Sequence, residues 1–395
     1  MTASRLSRVL IVRLSAHGDV IQTLPLLSAL KRARPDLFIG WLIEESAAPL
    51  LERHPLIDRL HVVPRKSWLR RLRHLPAHPR EAFHVAKDVG AMRAELRAMG
   101  YDASFDVQGL LKSAIWPAFA GIPQRWGYAG VREQAWRLYT NRLGAYDLRA
   151  CDRPTVFQFM EFVSALGVSP PDASEKARDA LDFPMPPLSS QAQAAADLLL
   201  REIPSQRPLI ALAPATLWAS KRWPESHWRA LIEMLAQRSA TIALLGSSAD
   251  ADACQALIPL TTDATVCERP AFCLNLAGKT DWPVLAAVLS RCDLLVGPDS
   301  APLHLAQALA SGNPQRRPRI VGLYGPTSEG RTGPIQREHR VCVSAVSCRP
   351  CFERACPLTA PQARDACMRQ LSPSMAIDAI DAQLRALSLL SRESG

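Results

Sequence analysis

Val9-Leu10-Ile11-Val12, running through Arg13-Leu14-Ser15-Ala16-His17-Gly18-Asp19-Val20 into Ile21-Gln22-Thr23-Leu24-Pro25-Leu26-Leu27-Ser28-Ala29-Leu30, decides the fold class. Four unbroken apolar residues mark a strand buried on both faces, as in a parallel sheet, and the spacing that follows is helical. A buried strand ending in a small-residue turn that opens a helix is how doubly wound α/β folds build their sites. The turn carries Asp19 where the helix begins. A helix N-terminus favours an ionised carboxylate, so Asp19 is expected to be charged at neutral pH. From this segment two roles stand level: a cap for the helix, or a general base fixed at the strand's mouth.

The same alternation continues downstream. Strands are expected at 38–44, 60–63 and 103–107, with a helix at 80–99 that stops at Gly100. Asp106-Val107-Gln108-Gly109-Leu110-Leu111-Lys112-Ser113 follows the third of these strands. Prolines crowd the next region, at 170, 171, 184, 186, 187, 204 and 208, around a short helix at 192–202. Alternation then restarts, with strands at 209–212, 241–246, 294–297 and 320–324 and helices at 223–237 and 283–290. Two Rossmann-like halves joined by a proline-rich linker result. Expected boundaries are 1–180 for the first domain, 181–207 for the linker, 208–372 for the second domain and 373–395 for a C-terminal amphipathic helix packing back across the domains.

Composition narrows the chemistry. A chain of 395 residues is too long for one core. No apolar run is long enough for a transmembrane helix, and the N-terminus reads as a core strand and not a signal peptide. A cytoplasmic protein is therefore expected, its ten cysteines reduced or metal-bound. The 47 Lys and Arg against 37 Asp and Glu leave a net charge of +10, which favours acidic partners. The densest basic run is Arg65-Lys66-Ser67-Trp68-Leu69-Arg70-Arg71-Leu72-Arg73-His74. It reads either as an element on a membrane surface or acidic lipid head group, or as a solvated basic helix. No groove-entering motif points to nucleic acid.

The second half concentrates anion-binding features. Val296-Gly297-Pro298-Asp299-Ser300-Ala301-Pro302-Leu303-His304 is a strand end, a small-residue turn and a helix start, with Pro302 suited to the first turn. Such an N-terminus is a ready site for a diphosphate. His304, one turn inward, reads as a core histidine or as a phosphate or sugar contact. Thr216 and the cations Lys221 and Arg222 follow the strand at 209–212, and Lys221 suits a phosphate as a point charge. Gly246-Ser247-Ser248-Ala249-Asp250 offers an acid for ribose hydroxyls, and Tyr324-Gly325-Pro326-Thr327 turns after the last strand.

Taken in order, residues 8–30, 106–113, 221–228, 299–309 and 324–327 resemble glycosyltransferase family 9, the lipopolysaccharide heptosyltransferases of Gram-negative bacteria. Glu44-Glu45, the basic tract at 65–73 and the Gln108–Ser113 segment are most similar to the heptosyltransferase I branch. The resemblance implies an α/β chain of GT-B fold, two Rossmann-like domains facing a cleft, the first binding acceptor and the second nucleotide sugar. It implies an inverting transfer of heptose from ADP-heptose to the Kdo of lipid A, without a required cofactor, at the cytoplasmic face of the inner membrane. Asp19 matches the base that activates the acceptor hydroxyl. Thr216 and Lys221 match positions near the donor phosphates, Asp250 the ribose acid, Thr280 a position near adenine, and Asp299, Ser300 and His304 positions near heptose and diphosphate. Arg65, Lys66, Arg70, Arg71, Arg73, Gln108 and Lys112 fall on the acceptor side. Ala301 departs from a glycine common in its turn, which bears on how closely backbone approaches donor.

Two features stand apart. Cys348, Cys351, Cys356 and Cys367 contain a C-x2-C core that suits a structural zinc, or they are free thiols near the surface. An NAD-dependent oxidoreductase shares the Rossmann architecture, but Ser15-Ala16-His17-Gly18-Asp19 lacks the glycines that admit a dinucleotide pyrophosphate. A noncatalytic basic binding protein leaves the paired site motifs without a role.

Overall fold

A computed structural model describes residues 6–73, 80–145, 153–203, 208–258, 272–311 and 317–393. His74, Pro204 with the rest of 204–207, and the last two residues of the tail lie outside them. The chain divides into two compact units. One comprises Met1–Leu148, Thr155–Ala173 and Asp182–Pro187; the other comprises Arg149–Pro154, Ser174–Leu181 and Leu188–Gly395.

The first unit holds strands β1 (Arg8–Val12), β2 (Phe38–Glu44), β3 (Arg59–Val63), β4 (Ala103–Asp106), β5 (Gln124–Ala129) and β6 (Asn141–Ala145). All pair in parallel, in the order β3-β2-β1-β4-β5-β6. Val9 to Val12 are wholly buried, as a central strand covered on both faces requires. The helices that matter for the site are α1 (His17–Ala33), α2 (Arg65–Arg73), α3 (Arg80–Ala98) and α4 (Leu111–Ala120).

The second unit repeats the pattern with β7 (Leu209–Leu212), β8 (Thr241–Leu244), β9 (Phe272–Asn275), β10 (Leu294–Pro298), β11 (Arg319–Tyr324) and β12 (Arg340–Val343). Their order, β12-β11-β10-β7-β8-β9, is again all parallel. Counted from each unit's first strand, both sheets run 3-2-1-4-5-6, the second when read from its β9 edge. In the first unit the strand order reverses between β1 and β4; in the second, the neighbours β7 and β10 flank the centre. Ligands bind at the carboxyl ends of strands flanking such a switch point.

Helix α5 (Glu225–Ala236) follows the loop after β7, and α6 (Ala301–Ser311) follows β10. The tail forms α7 (Pro373–Glu393), whose Ala376, Ile377 and Ile380 enter the core beside Trp228 and Leu231 of α5. Arg238 pairs with Asp381 at 2.9 Å on the same contact. Among the described residues no helix is long and apolar enough to cross a membrane.

Candidate active site

In the first unit, chemistry gathers where β1 and β4 end. Asp19, in the first turn of α1, is 44% exposed and accepts through Oδ2 from Arg13 Nη2 at 2.7 Å and from the Ala16 amide at 3.2 Å. The carboxylate thus caps the helix at the mouth of the strand. Its Oδ1 has no hydrogen-bond partner among the described residues. Arg13 is itself buried, donates to the Val107 carbonyl at 2.9 Å and lies 5.0 Å from the centre of the Phe159 ring. A buried guanidinium needs such pairing.

Around this pair stands a polar ring. Lys112 donates to Ser15 Oγ at 2.7 Å and to Glu44 Oε1 at 3.0 Å. Arg65 reaches Glu44 at 3.7 Å, and Glu45 accepts from the Ser67 amide in the first turn of α2. Gln108 is fixed by the Leu14 amide at 2.8 Å and turns its amide nitrogen to Ser15. Asp106 bolts the turn after β4: it accepts from Tyr139 at 2.7 Å, Ser113 at 3.0 Å and the amides of Gln108 and Gly109. Burial pushes its pKa up to about 6 although those four donors pull it down.

The basic tract divides by use. Arg71 is held by Glu81 at 2.5 Å and Asp88 at 2.9 Å, whereas Lys66, Arg70 and Arg73 are exposed. Arg65 and Lys112 reach the Asp19 turn's surroundings through Glu44 and Ser15, so the structure gathers these two with Asp19 and Gln108. The signal for Arg13 was faint, a charge set at the end of an otherwise apolar strand.

The second unit's site lies between β7 and β10. Lys221 donates to Asp299 Oδ2 at 2.8 Å and to its carbonyl at 2.9 Å, while His304 lies 3.3 Å from Oδ1. Burial of Asp299 pushes its pKa up, but the Lys221 charge and His304 outweigh that, and the carboxyl sits far below the ordinary range. Lys221 also lies 4.5 Å from the centre of the Trp218 ring, with Arg354 at 5.9 Å. A Cβ on Gly297 would stand 3.2 Å from Ala213, so glycine lets the two central strands converge below this cluster. Ala301 opens α6 without a left-handed backbone, so a side chain is tolerated there without strain.

Ser300 and Thr327 present buried hydroxyls that have no hydrogen-bond partner among the described residues. Unpaired buried hydroxyls are costly, and both follow the carboxyl ends of their strands, β10 and β11. Thr216 is half-buried in the loop after β7. Asp250 accepts from the Ser247 amide at 2.8 Å and hydroxyl at 2.6 Å. Thr280 lies in the adjoining turn, where a Cβ on Gly278 (φ +75°) would stand 2.8 Å from Ser248 Cα. The turns bearing Asp250 and Thr280 therefore touch.

The cysteine segment braces these loops. Arg349 donates to the carbonyls of Gly325 and Thr327 and pairs with Glu329, while Ser220 donates to the Glu353 carbonyl. Cys367 is buried, with its thiol pushed up to about 11 by burial and by Cys351, Cys348 and Cys356 nearby. Cys356 Sγ accepts from the Asp365 amide. Among the described residues no three His, Cys, Asp or Glu side chains converge as metal ligands.

The chain is similar to proteins of one known family. The family model for glycosyltransferase family 9 (heptosyltransferase) matches residues 89–361. Lipopolysaccharide heptosyltransferase 2 of Salmonella typhimurium is 30% identical over 345 residues, covering 85% of this chain and 87% of that protein. Lipopolysaccharide heptosyltransferase 1 of Pseudomonas aeruginosa is 29% identical over 356 residues, 88% of this chain and 87% of that protein. The structure of E. coli heptosyltransferase WaaC with ADP superposes with a TM-score of 0.67 at 26% identity, over 95% of this chain and 99% of that one. E. coli ADP-heptose lps heptosyltransferase II shares the fold, with a TM-score of 0.68 at 22% identity over 98% of this chain and 100% of that one. With its two Rossmann-like units of GT-B type, the chain belongs to glycosyltransferase family 9, the heptosyltransferases.

Proposed function

We propose that this chain transfers heptose from ADP-L-glycero-D-manno-heptose to the Kdo of a lipid A precursor, an inner-core step of lipopolysaccharide biosynthesis, in the manner of heptosyltransferase I. One observation carries the reading: equivalent switch points of the two units hold complementary chemistry. The first has an exposed carboxylate oriented by a buried arginine; the second has a buried Lys221–Asp299–His304 cluster at a helix N-terminus. In this reading residues 1–180 bind acceptor, 181–207 link, 208–372 bind donor and 373–395 form the tail.

Asp19 takes the proton of the acceptor hydroxyl as that oxygen bonds to the anomeric carbon. The bond from this carbon to the diphosphate oxygen breaks from the opposite face, so configuration inverts and ADP leaves. Lys221 and the first amides of α6 stabilise the charge that builds on the leaving diphosphate. Ser300, Thr327 and Thr216 supply hydroxyls to phosphate or sugar, and Asp250 and Thr280 face ribose and adenine. Lys112, Gln108, Arg65, Lys66, Arg70 and Arg73 meet the acidic acceptor. The reading needs no cofactor, and it places the enzyme at the cytoplasmic face of the inner membrane.

The near-equal identity to heptosyltransferases 1 and 2 supports a second reading, in which the acceptor already bears one heptose. A transfer assay with ADP-heptose, offering Kdo-lipid A and the monoheptosylated acceptor in parallel, decides. Product from Kdo-lipid A is expected. Product only from the monoheptosylated acceptor makes the enzyme heptosyltransferase II-like, and product from neither overturns both readings.

A further inference from the structure

Helix α4 carries an apolar ridge that the fold leaves uncovered. Leu111, Ile115 and Phe119 recur every fourth residue and so share one face; they are 46%, 49% and 45% exposed. The helix's inner side is already satisfied, with Ala114, Trp116, Pro117 and Ala120 buried. Single exposed apolar residues are ordinary, but an aligned set on one helix marks an interaction surface.

The neighbours of the ridge are basic. Trp68 of α2 packs on Trp116 of α4 with ring centres 6.0 Å apart, so the basic helix lies directly beside it. There Lys66, Arg70 and Arg73 are exposed along with Leu69. Arg93 of α3 stacks 4.8 Å from the Phe119 ring and donates to the Phe119 carbonyl. The acids of this region are largely spoken for: Glu81 and Asp88 hold Arg71, and Glu133 accepts from the Leu111 amide at the start of α4. Apolar side chains beside exposed cations match an anionic lipid surface. A second copy would oppose basic helix to basic helix, on a chain whose net charge is already +10.

We propose that the α4 ridge and the adjoining basic face of α2 dock the first unit on an anionic lipid bilayer. Leu111, Ile115 and Phe119 enter the acyl boundary, and Lys66, Arg70 and Arg73 sit at head-group level. The proposal rests on the lipid-linked acceptor proposed above and gives that acceptor a route. Lys112, adjacent to Leu111, turns inward to Ser15 and Glu44, so the first turn of α4 faces lipid on one side and the Asp19 region on the other.

The test is co-sedimentation of the full chain with vesicles of phosphatidylethanolamine and phosphatidylglycerol, or of phosphatidylcholine alone. The wild type is expected to pellet with the anionic vesicles and at least tenfold less with the neutral ones. Leu111→Ser/Ile115→Ser/Phe119→Ser should lower anionic-vesicle binding at least tenfold, with an unchanged melting temperature and unchanged transfer to an acyl-free acceptor. Lys66→Glu/Arg70→Glu/Arg73→Glu should lower vesicle binding as strongly. Wild-type-like vesicle binding by the ridge variant overturns the proposal, as does equal binding to neutral vesicles. So does a shift in oligomeric state with vesicle binding intact, which would make a second copy the occupant. In each of those cases, retained transfer to the acyl-free acceptor leaves the proposed function standing.

Discussion

Arg13, buried, and Lys221, mostly buried, show how single cations organise the candidate site of each unit. Arg13 touches no expected substrate position and acts through Asp19, to which it donates at 2.7 Å. Arg13→Gln should lower kcat about tenfold or more while leaving the KM for ADP-heptose unchanged. In an Asp19→Asn background the same change should cost little further, because residues that act as a unit are non-additive; steady-state kinetics of the four proteins checks this. Lys221 faces a different balance. Removing it leaves the buried Asp299 carboxylate with His304 in place of a full ion pair, a loss of up to about 3–5 kcal/mol for a broken buried pair. Lys221→Met should therefore be strongly destabilised in urea unfolding, and Lys221→Met/Asp299→Asn should recover much of the loss. Equal stability of single and double variants would show that Asp299 is not held by this charge.

At the scale of elements, the turn after β4 carries a pH signature. The folded-state pKa of Asp106 is raised to about 6, so between the ordinary carboxylate range and pH 6 the folded chain binds the extra proton. By linkage, this group's contribution is fully present below its unfolded pKa and is lost as pH rises through about 6. The stability of wild type relative to Asp106→Asn should rise by about 2 kcal/mol from pH 7 to pH 4, since each pH unit between the folded and unfolded pKa values is worth about 1.4 kcal/mol and the unfolded carboxyl is itself partly protonated at pH 4. Urea unfolding of both proteins across that range measures it, and a flat difference would refute the assignment. This element also shows what local sequence conveys. The β1–α1 and β10–α6 turns were legible because solid apolar strands run straight into helix starts. The strands β5 (Gln-Arg-Trp-Gly-Tyr-Ala), β6 (Asn-Arg-Leu-Gly-Ala) and β12 were not, being short, mixed in polarity and set toward the sheet edges. Arg13 binds Val107 and Lys112 binds Glu44, contacts that span 94 and 68 residues and leave no trace in local spacing.

For the whole molecule, one topology used twice supplies two switch points, and the chain loads them with opposite chemistry. A carboxylate with one oxygen unpaired among the described residues stands in the first unit, and a Lys221–Asp299–His304 cluster beside unpaired hydroxyls stands in the second. The turns that carry these groups were legible from the motifs at 15–20 and 299–304, whereas the bracing of the second unit's loops by Arg349 and Glu353 was not. The central claim is that Asp19 serves the acceptor while the second unit holds the donor. Its most direct test measures ADP affinity and heptosyl transfer together on Asp19→Asn and wild type. The account predicts unchanged ADP binding with turnover reduced at least about a hundredfold, the scale of a lost general base. Turnover near wild type in Asp19→Asn, or loss of ADP binding alongside activity, would contradict it.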